Sequence, residues 1–171
     1  FLVELSNYYD IIIFTSSLPN YARTVINKLD TYNVVKGKLF RQDCLIKNGI
    51  YVKDLKKFGR DLKDVIIIDN NPLSYELNPD NGIPINAWYF DLSDNELQKL
   101  VPFLNYLSKV NDVRPIIKKV VNINDDSLNY NLIRNLMNQK PIYNRIVIGN
   151  NEILNKNNIA YNNYLSNRNI H

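Results

Sequence analysis

Short isoleucine-rich runs alternating with amphipathic segments predict an α/β fold, a mostly parallel sheet flanked by helices. Three observations carry that expectation. Residues 10–14, apolar after Asp10, and 65–68 are runs of strand length, the pattern of strands covered on both faces. Each run closes on small polar residues: Thr15-Ser16-Ser17 after the first, Asp69-Asn70-Asn71-Pro72 after the second. Helical periodicity separates and follows them.

Taken in order, residues 1–9 read as the last turns of a helix, with Phe1, Leu2, Leu5 and Tyr9 on one face. Pro19 is suited to a first helical turn and opens a helix running to about Leu29. Residues 39–52 alternate irregularly around Asn48-Gly49, a hairpin signal because both residues tolerate positive φ. A third short strand is expected over 83–87. Ser93-Asp94-Asn95-Glu96 reads as a capping box ahead of a stripe formed by Leu97, Leu100, Val101, Leu104 and Leu107. Pro102 should bend that helix or end its first part. Residues 112–121 form one more short helix. From Asn122 onward asparagine rises to roughly a third of residues. The expected organisation is therefore one domain over 1–121 and a partly disordered Asn-rich tail over 122–171, with at most a loose helix near 128–137.

Composition excludes several classes of chemistry. The chain has 171 residues, 45% hydrophobic and 22% charged, with a net charge of +4. This suits a globular protein and permits a phosphorylated or acidic partner without demanding nucleic acid. Cys44 is the only cysteine and His171 the only histidine. No disulfide, cysteine metal site, histidine triad or histidine zinc site can be assembled within the chain. Cys44 reads as a small core residue. No run approaches the ~18 apolar residues of a membrane span, and no secretory signal is visible. The chain opens on Phe1 inside an amphipathic pattern, so a segment cut from something longer is the expectation.

In parallel sheets the chemistry gathers at strand C-termini. Thr15 stands there, ahead of a helix, and could bind an anion; taken alone, it reads more simply as a helix cap. Asp69-Asn70 offers hard oxygens suited to Mg²⁺; taken alone, it is a turn. Lys53 could neutralise a phosphate; taken alone, it is a solvated surface lysine.

Together these residues stand in the order of the second, third and fourth motifs of the haloacid dehalogenase phosphatases. The chain closely resembles the carboxy-terminal-domain phosphatases, the NLI-interacting-factor-like family. The matching runs are YYDIIIFTSSLP (8–19), LFRQDC (39–44), YVKDL (51–55), VIIIDNNP (65–72), Ser74-Tyr75, NPDNGIP (78–84), Trp88 and residues 97–107. The resemblance covers about residues 1–121.

It implies a haloacid-dehalogenase-like, Rossmann-like sheet with a small β-hairpin insertion over 39–52. It implies a Mg²⁺-dependent protein serine/threonine phosphatase acting through an aspartyl-phosphate. Thr15 would hydrogen-bond the phosphoryl group and Lys53 would neutralise it. Asn70 would bind Mg²⁺, with Asp69 orienting the metal's water shell. Arg41 would contact the phosphopeptide, and Leu18 and Tyr21 would receive a substrate proline. The implied partner is a phosphoprotein with Ser-Pro sites such as the RNA polymerase II tail, with no direct nucleic-acid binding and a nuclear setting; cytoplasmic or mitochondrial settings stay open.

The family's Asp-x-Asp-x-Thr motif, which carries nucleophile and general acid, is not found in the 171 residues. The first, central strand is therefore expected to be missing, and the chain alone to be inactive and marginally stable. A non-catalytic module like the mitochondrial presequence-import receptor, or a Dullard-like membrane-linked phosphatase, is the competing reading.

Overall fold

A computed structural model describes residues 1–122 and 127–139. The architecture is α/β. Helix α1 (Leu2–Leu5) leads into strand β1 (Ile11–Phe14), and helix α2 (Pro19–Leu29) leads to strand β2 (Val35–Leu39). Strands β3 (Leu45–Lys47) and β4 (Ile50–Val52) form the hairpin. Strands β5 (Ile67–Asp69) and β6 (Gly82–Pro84) precede helices α3 (Glu96–Leu107) and α4 (Arg114–Val120). Strands β7 (Val121–Asn122) and β8 (Ser127–Leu128) and helix α5 (Tyr130–Asn138) complete the described chain.

Two of the strand pairs are parallel. β1 pairs with β2, setting Phe14 opposite Leu39, and β5 pairs with β6, setting Asp69 opposite Pro84. Each pair is a separate two-stranded sheet. β3–β4 and β7–β8 are antiparallel.

The expected β1, α2 and hairpin are found, the last turning on Asn48 and Gly49 at φ 50 and 77. β2 was not anticipated. Its lysines at 36 and 38 interrupt any apolar run, although Val35, Gly37 and Leu39 keep a two-residue alternation. The first half of the expected 39–52 segment is not hairpin: Leu39 ends β2, and Arg41–Asp43 is a single 3₁₀ turn. The 65–68 strand lies further on and includes Asp69, and the 83–87 strand is shorter and earlier.

The capping box is not formed. Asn95 begins α3 without a side-chain bond, because the Ser93 hydroxyl donates to Asp91 instead (2.7 Å). Asp94 accepts the Glu96 amide in its place (3.1 Å). Pro102 does not end α3, since Leu100, Phe103, Leu104 and Leu107 are all buried. That packing offsets the lost hydrogen bond.

The main apolar cluster joins α1, α3 and α4 with Ile83, and Ile133 of α5 belongs to it. Packing thus continues beyond residue 121; residues 140–171 of the expected tail lie outside the described residues. A second cluster holds Leu39, Leu55, Phe58, Val65, Ile67 and Tyr75, with Ile12 and Phe14 against it. This cluster ties the ends of β1 and β5 to the segment carrying Lys53.

Candidate active site

Lys53 is buried, about 9% exposed, and its ammonium pairs with the Asp69 carboxylate. The reading as a solvated lysine does not hold. Its main chain is fixed by donation to Ser74 O (2.7 Å), and its Nζ lies 6.0 Å from the Phe14 ring centroid. Lys53 therefore touches the end of β5 and reaches the end of β1. The second Asp69 oxygen, Oδ1, accepts the Asn71 amide (2.8 Å). Both carboxylate oxygens are thereby oriented.

Thr15 follows β1 directly, and its amide donates to Leu39 O (3.0 Å), extending the β1–β2 ladder. Its Oγ1 accepts the Ser17 amide (3.1 Å) within its own loop. Leu18, not Thr15, stands at the start of α2, without a side-chain cap. Neither is Asn70 the residue that builds the following turn. Asn71 does that, accepting the Leu73 amide (3.2 Å), while Asn70 is exposed at the mouth of β5.

Arg41 lies across the Thr15 loop. Its Nε donates to Ser16 O (2.7 Å), its amide donates to Ser17 O (3.1 Å), and its guanidinium carbon lies 5.1 Å from the Tyr51 ring centroid. A planar cation over an aromatic face is held in orientation as well as place. Leu18 and Tyr21 stand on the outer face of α2, 56% and 68% exposed. Burial pushes the Cys44 thiol above its ordinary value. Lys53 opposes this most strongly among the charges, Asp43 adds to it, and Lys57 and Arg41 oppose it in turn. Three cations thus act on one half-buried thiol, which stays protonated and unsuited to nucleophilic work.

The structure brings Lys53 and Asp69 into contact and sets Arg41 on the loop that begins at Thr15. Sequence reasoning passed over Asp43, which shares the Arg41 turn, Tyr51, which lies under the Arg41 guanidinium, and Lys57, which donates to Asp43 O (2.6 Å). Only the lysine-dense stretch at 53–63 hinted at Lys57. Among the described residues no group of three or more His, Cys, Asp or Glu could hold a metal ion, and no helix is long and apolar enough to cross a membrane.

A buried ammonium–carboxylate pair thus sits at the end of β5, and a guanidinium lies on the hydroxyl-bearing loop that follows β1. The family model described as "NLI interacting factor-like phosphatase" matches residues 1–114. The chain belongs to that family, which includes the carboxy-terminal-domain small phosphatases. It is 48% identical over 118 residues to "CTD small phosphatase-like protein 2" of Dictyostelium discoideum, covering 69% of this chain and 21% of that protein. It is 42% identical over 117 residues to "Phosphatase Herzog" of Drosophila melanogaster, covering 68% and 33%. It is 41% identical over 119 residues to human "Carboxy-terminal domain RNA polymerase II polypeptide A small phosphatase 1", covering 70% and 46%. The chain thus spans less than half the length of each of these relatives.

Proposed function

We propose that this chain is the phosphate-binding part of a haloacid-dehalogenase-like, Mg²⁺-dependent protein serine/threonine phosphatase. The observation that supports it most is Lys53, buried against Asp69 and within reach of the β1 end. A cation is held out of water there, where a phosphoryl group needs its charge neutralised.

Each residue has a separate task. The Thr15 hydroxyl already accepts from Ser17, so its proton is left to donate to a phosphoryl oxygen. The Lys53 ammonium has three donors and gives one to Asp69, leaving others for the same group. Asp69 holds Lys53 and keeps acceptor capacity for metal-bound water. The donor chemistry suits Mg²⁺, which favours oxygen ligands and retains several waters. Asn70 would ligate it directly and Asp69 would act through its water shell. When bound, the ion supplies positive charge against the phosphoryl oxygens. Arg41 meets the phosphopeptide, and exposed Leu18 and Tyr21 offer an apolar seat for a proline.

The nucleophile is proposed to come from an Asp-x-Asp-x-Thr strand outside these 171 residues, forming the aspartyl-phosphate and lying between β1 and β5. In favour of this, the two parallel pairs are separate sheets, and all four β1 residues are only half-buried. The proposed substrate is a Ser-Pro phosphoprotein such as the RNA polymerase II tail, in the nucleus, by analogy with the human RNA polymerase II small phosphatase relative.

The test is phosphate release from a phosphoserine-proline peptide by the chain expressed with its native upstream coding sequence. Release should require Mg²⁺. Lys53→Ala and Asn70→Ala should each lower kcat/KM by roughly 100-fold or more. Turnover surviving both substitutions would sink the assignment. Absence of turnover, with presequence-peptide binding instead, would favour the non-catalytic receptor-like reading.

A further inference from the structure

We infer that Asp43 is the positioning residue for Arg41. The inference rests on Arg41 being the phosphopeptide contact. Asp43 is 1% exposed, whereas Arg41 and Gln42 of the same three-residue turn are exposed. Its Oδ2 accepts the Phe40 amide (2.8 Å), so the carboxylate closes the turn from inside. Its own carbonyl accepts the Lys57 ammonium (2.6 Å), tying the turn to the 3₁₀ segment Leu55–Phe58.

Burying a carboxylate is costly, and the fold accepts that cost at a turn that faces Arg41 and Gln42 outward and sets the Arg41 side chain against Ser16 O and the Tyr51 ring. The Arg41 main chain is held at both ends, by Ser17 O and by the Cys44 amide (both 3.1 Å). The side chain is then fixed through Nε to Ser16 O and over Tyr51. Each of these contacts needs the Arg41 Cα where the closed turn puts it. Without the carboxylate, the buried Phe40 amide loses its acceptor and the turn opens. Arg41 then pays rotamer entropy again each time it meets an anion.

The experiment uses the chain with its native upstream coding sequence and has two arms. The first follows the Arg41 Nε–H signal in a ¹⁵N-arginine-labelled sample. Its exchange with water should be slow in the unsubstituted protein and fast in Asp43→Ala. Asp43→Asn retains an acceptor oxygen and should keep it slow. The second arm measures phosphoserine-peptide turnover. Asp43→Ala should raise KM roughly tenfold, with kcat within about twofold. Asp43→Asn should restore KM, and Arg41→Ala/Asp43→Ala should be no worse than Arg41→Ala. Unchanged Nε–H exchange in Asp43→Ala, or losses that multiply in the double variant, would overturn the inference. If Asp43→Ala does not fold, Asp43→Ser, too short to reach the amide, takes its place under the same criteria. If the unsubstituted protein releases no phosphate, the phosphatase reading fails, while the exchange arm still decides the role of Asp43.

Discussion

Lys53 and Asp69 meet with side chains only 11% and 8% exposed, and in that setting a missing partner matters more than the pair itself. Asp69 is held in place by the Asn71 amide on its other oxygen, so it cannot turn outward to compensate freely. The pair is thus built for orientation. Tyr9 is a structural contrast. Its hydroxyl donates to Leu104 O (2.6 Å) across 95 residues of sequence, and burial pushes its acidity well below that of an ordinary tyrosine. It stays protonated and serves only as a strut between the segment before β1 and α3. In the chain expressed with its native upstream coding sequence, Tyr9→Phe should cost about 1 kcal/mol in urea unfolding. The cost stays small because Leu104 O also accepts the Ser108 amide (2.9 Å). A loss above about 3 kcal/mol would mean that the hydroxyl does more than this.

The hairpin shows how a local signal sets an element. Asn48 and Gly49 take positive φ, which twists the turn to match its strands. A Cβ on Gly49 meets nothing within 4 Å, so any penalty there is purely conformational. In the chain expressed with its native upstream coding sequence, Gly49→Ala should therefore lower stability by about 1 kcal/mol, read as a shift in denaturation midpoint with the m-value unchanged. The effect should also reach the site, because β4 carries Tyr51 beneath Arg41 and leads into Lys53. Helix α2 was equally legible, with Pro19 at its start and its inner residues Ala22 and Ile26 buried. β2 was less so. Its two lysines and a glycine score poorly as strand, and it exists because β1 offers a parallel edge, a decision made by contacts over 20 residues apart.

At the scale of the molecule, the parallel pairs β1–β2 and β5–β6 are linked through Lys53 and the cluster around Leu55 and Phe58, not through a shared ladder. Half-buried apolar strands with unshared edges expose template surface. The purified 171-residue chain should accordingly bind a hydrophobic dye and melt broadly, and a segment supplying a strand between β1 and β5 should sharpen the transition. A single sharp melt of the 171 residues without such a segment would contradict this. Packing of Ile133 into the main cluster also predicts that the chain needs α5, although it lies in the asparagine-rich stretch. Composition did not reveal that, because asparagines share the helix with Ile133, Leu132, Leu136 and Met137, which pack on the cluster, and an average over the stretch hides that apolar face.

The sequence by itself determined the α/β class, the two apolar strand runs (though not the burial of the first, which is only half-buried), the helix at Pro19, the hairpin turn, and the order of Thr15, Lys53 and Asp69-Asn70. These are local: propensity, periodicity and turn chemistry act within a few residues. Only the tertiary structure decided that Lys53 is buried, that Asp69 receives it, that Arg41 lies across the Thr15 loop, and that Asp43 turns inward beneath it. Burial and pairing depend on which distant elements share a cluster, and the free energy of a charge is set by that surrounding medium and not by its neighbours along the chain.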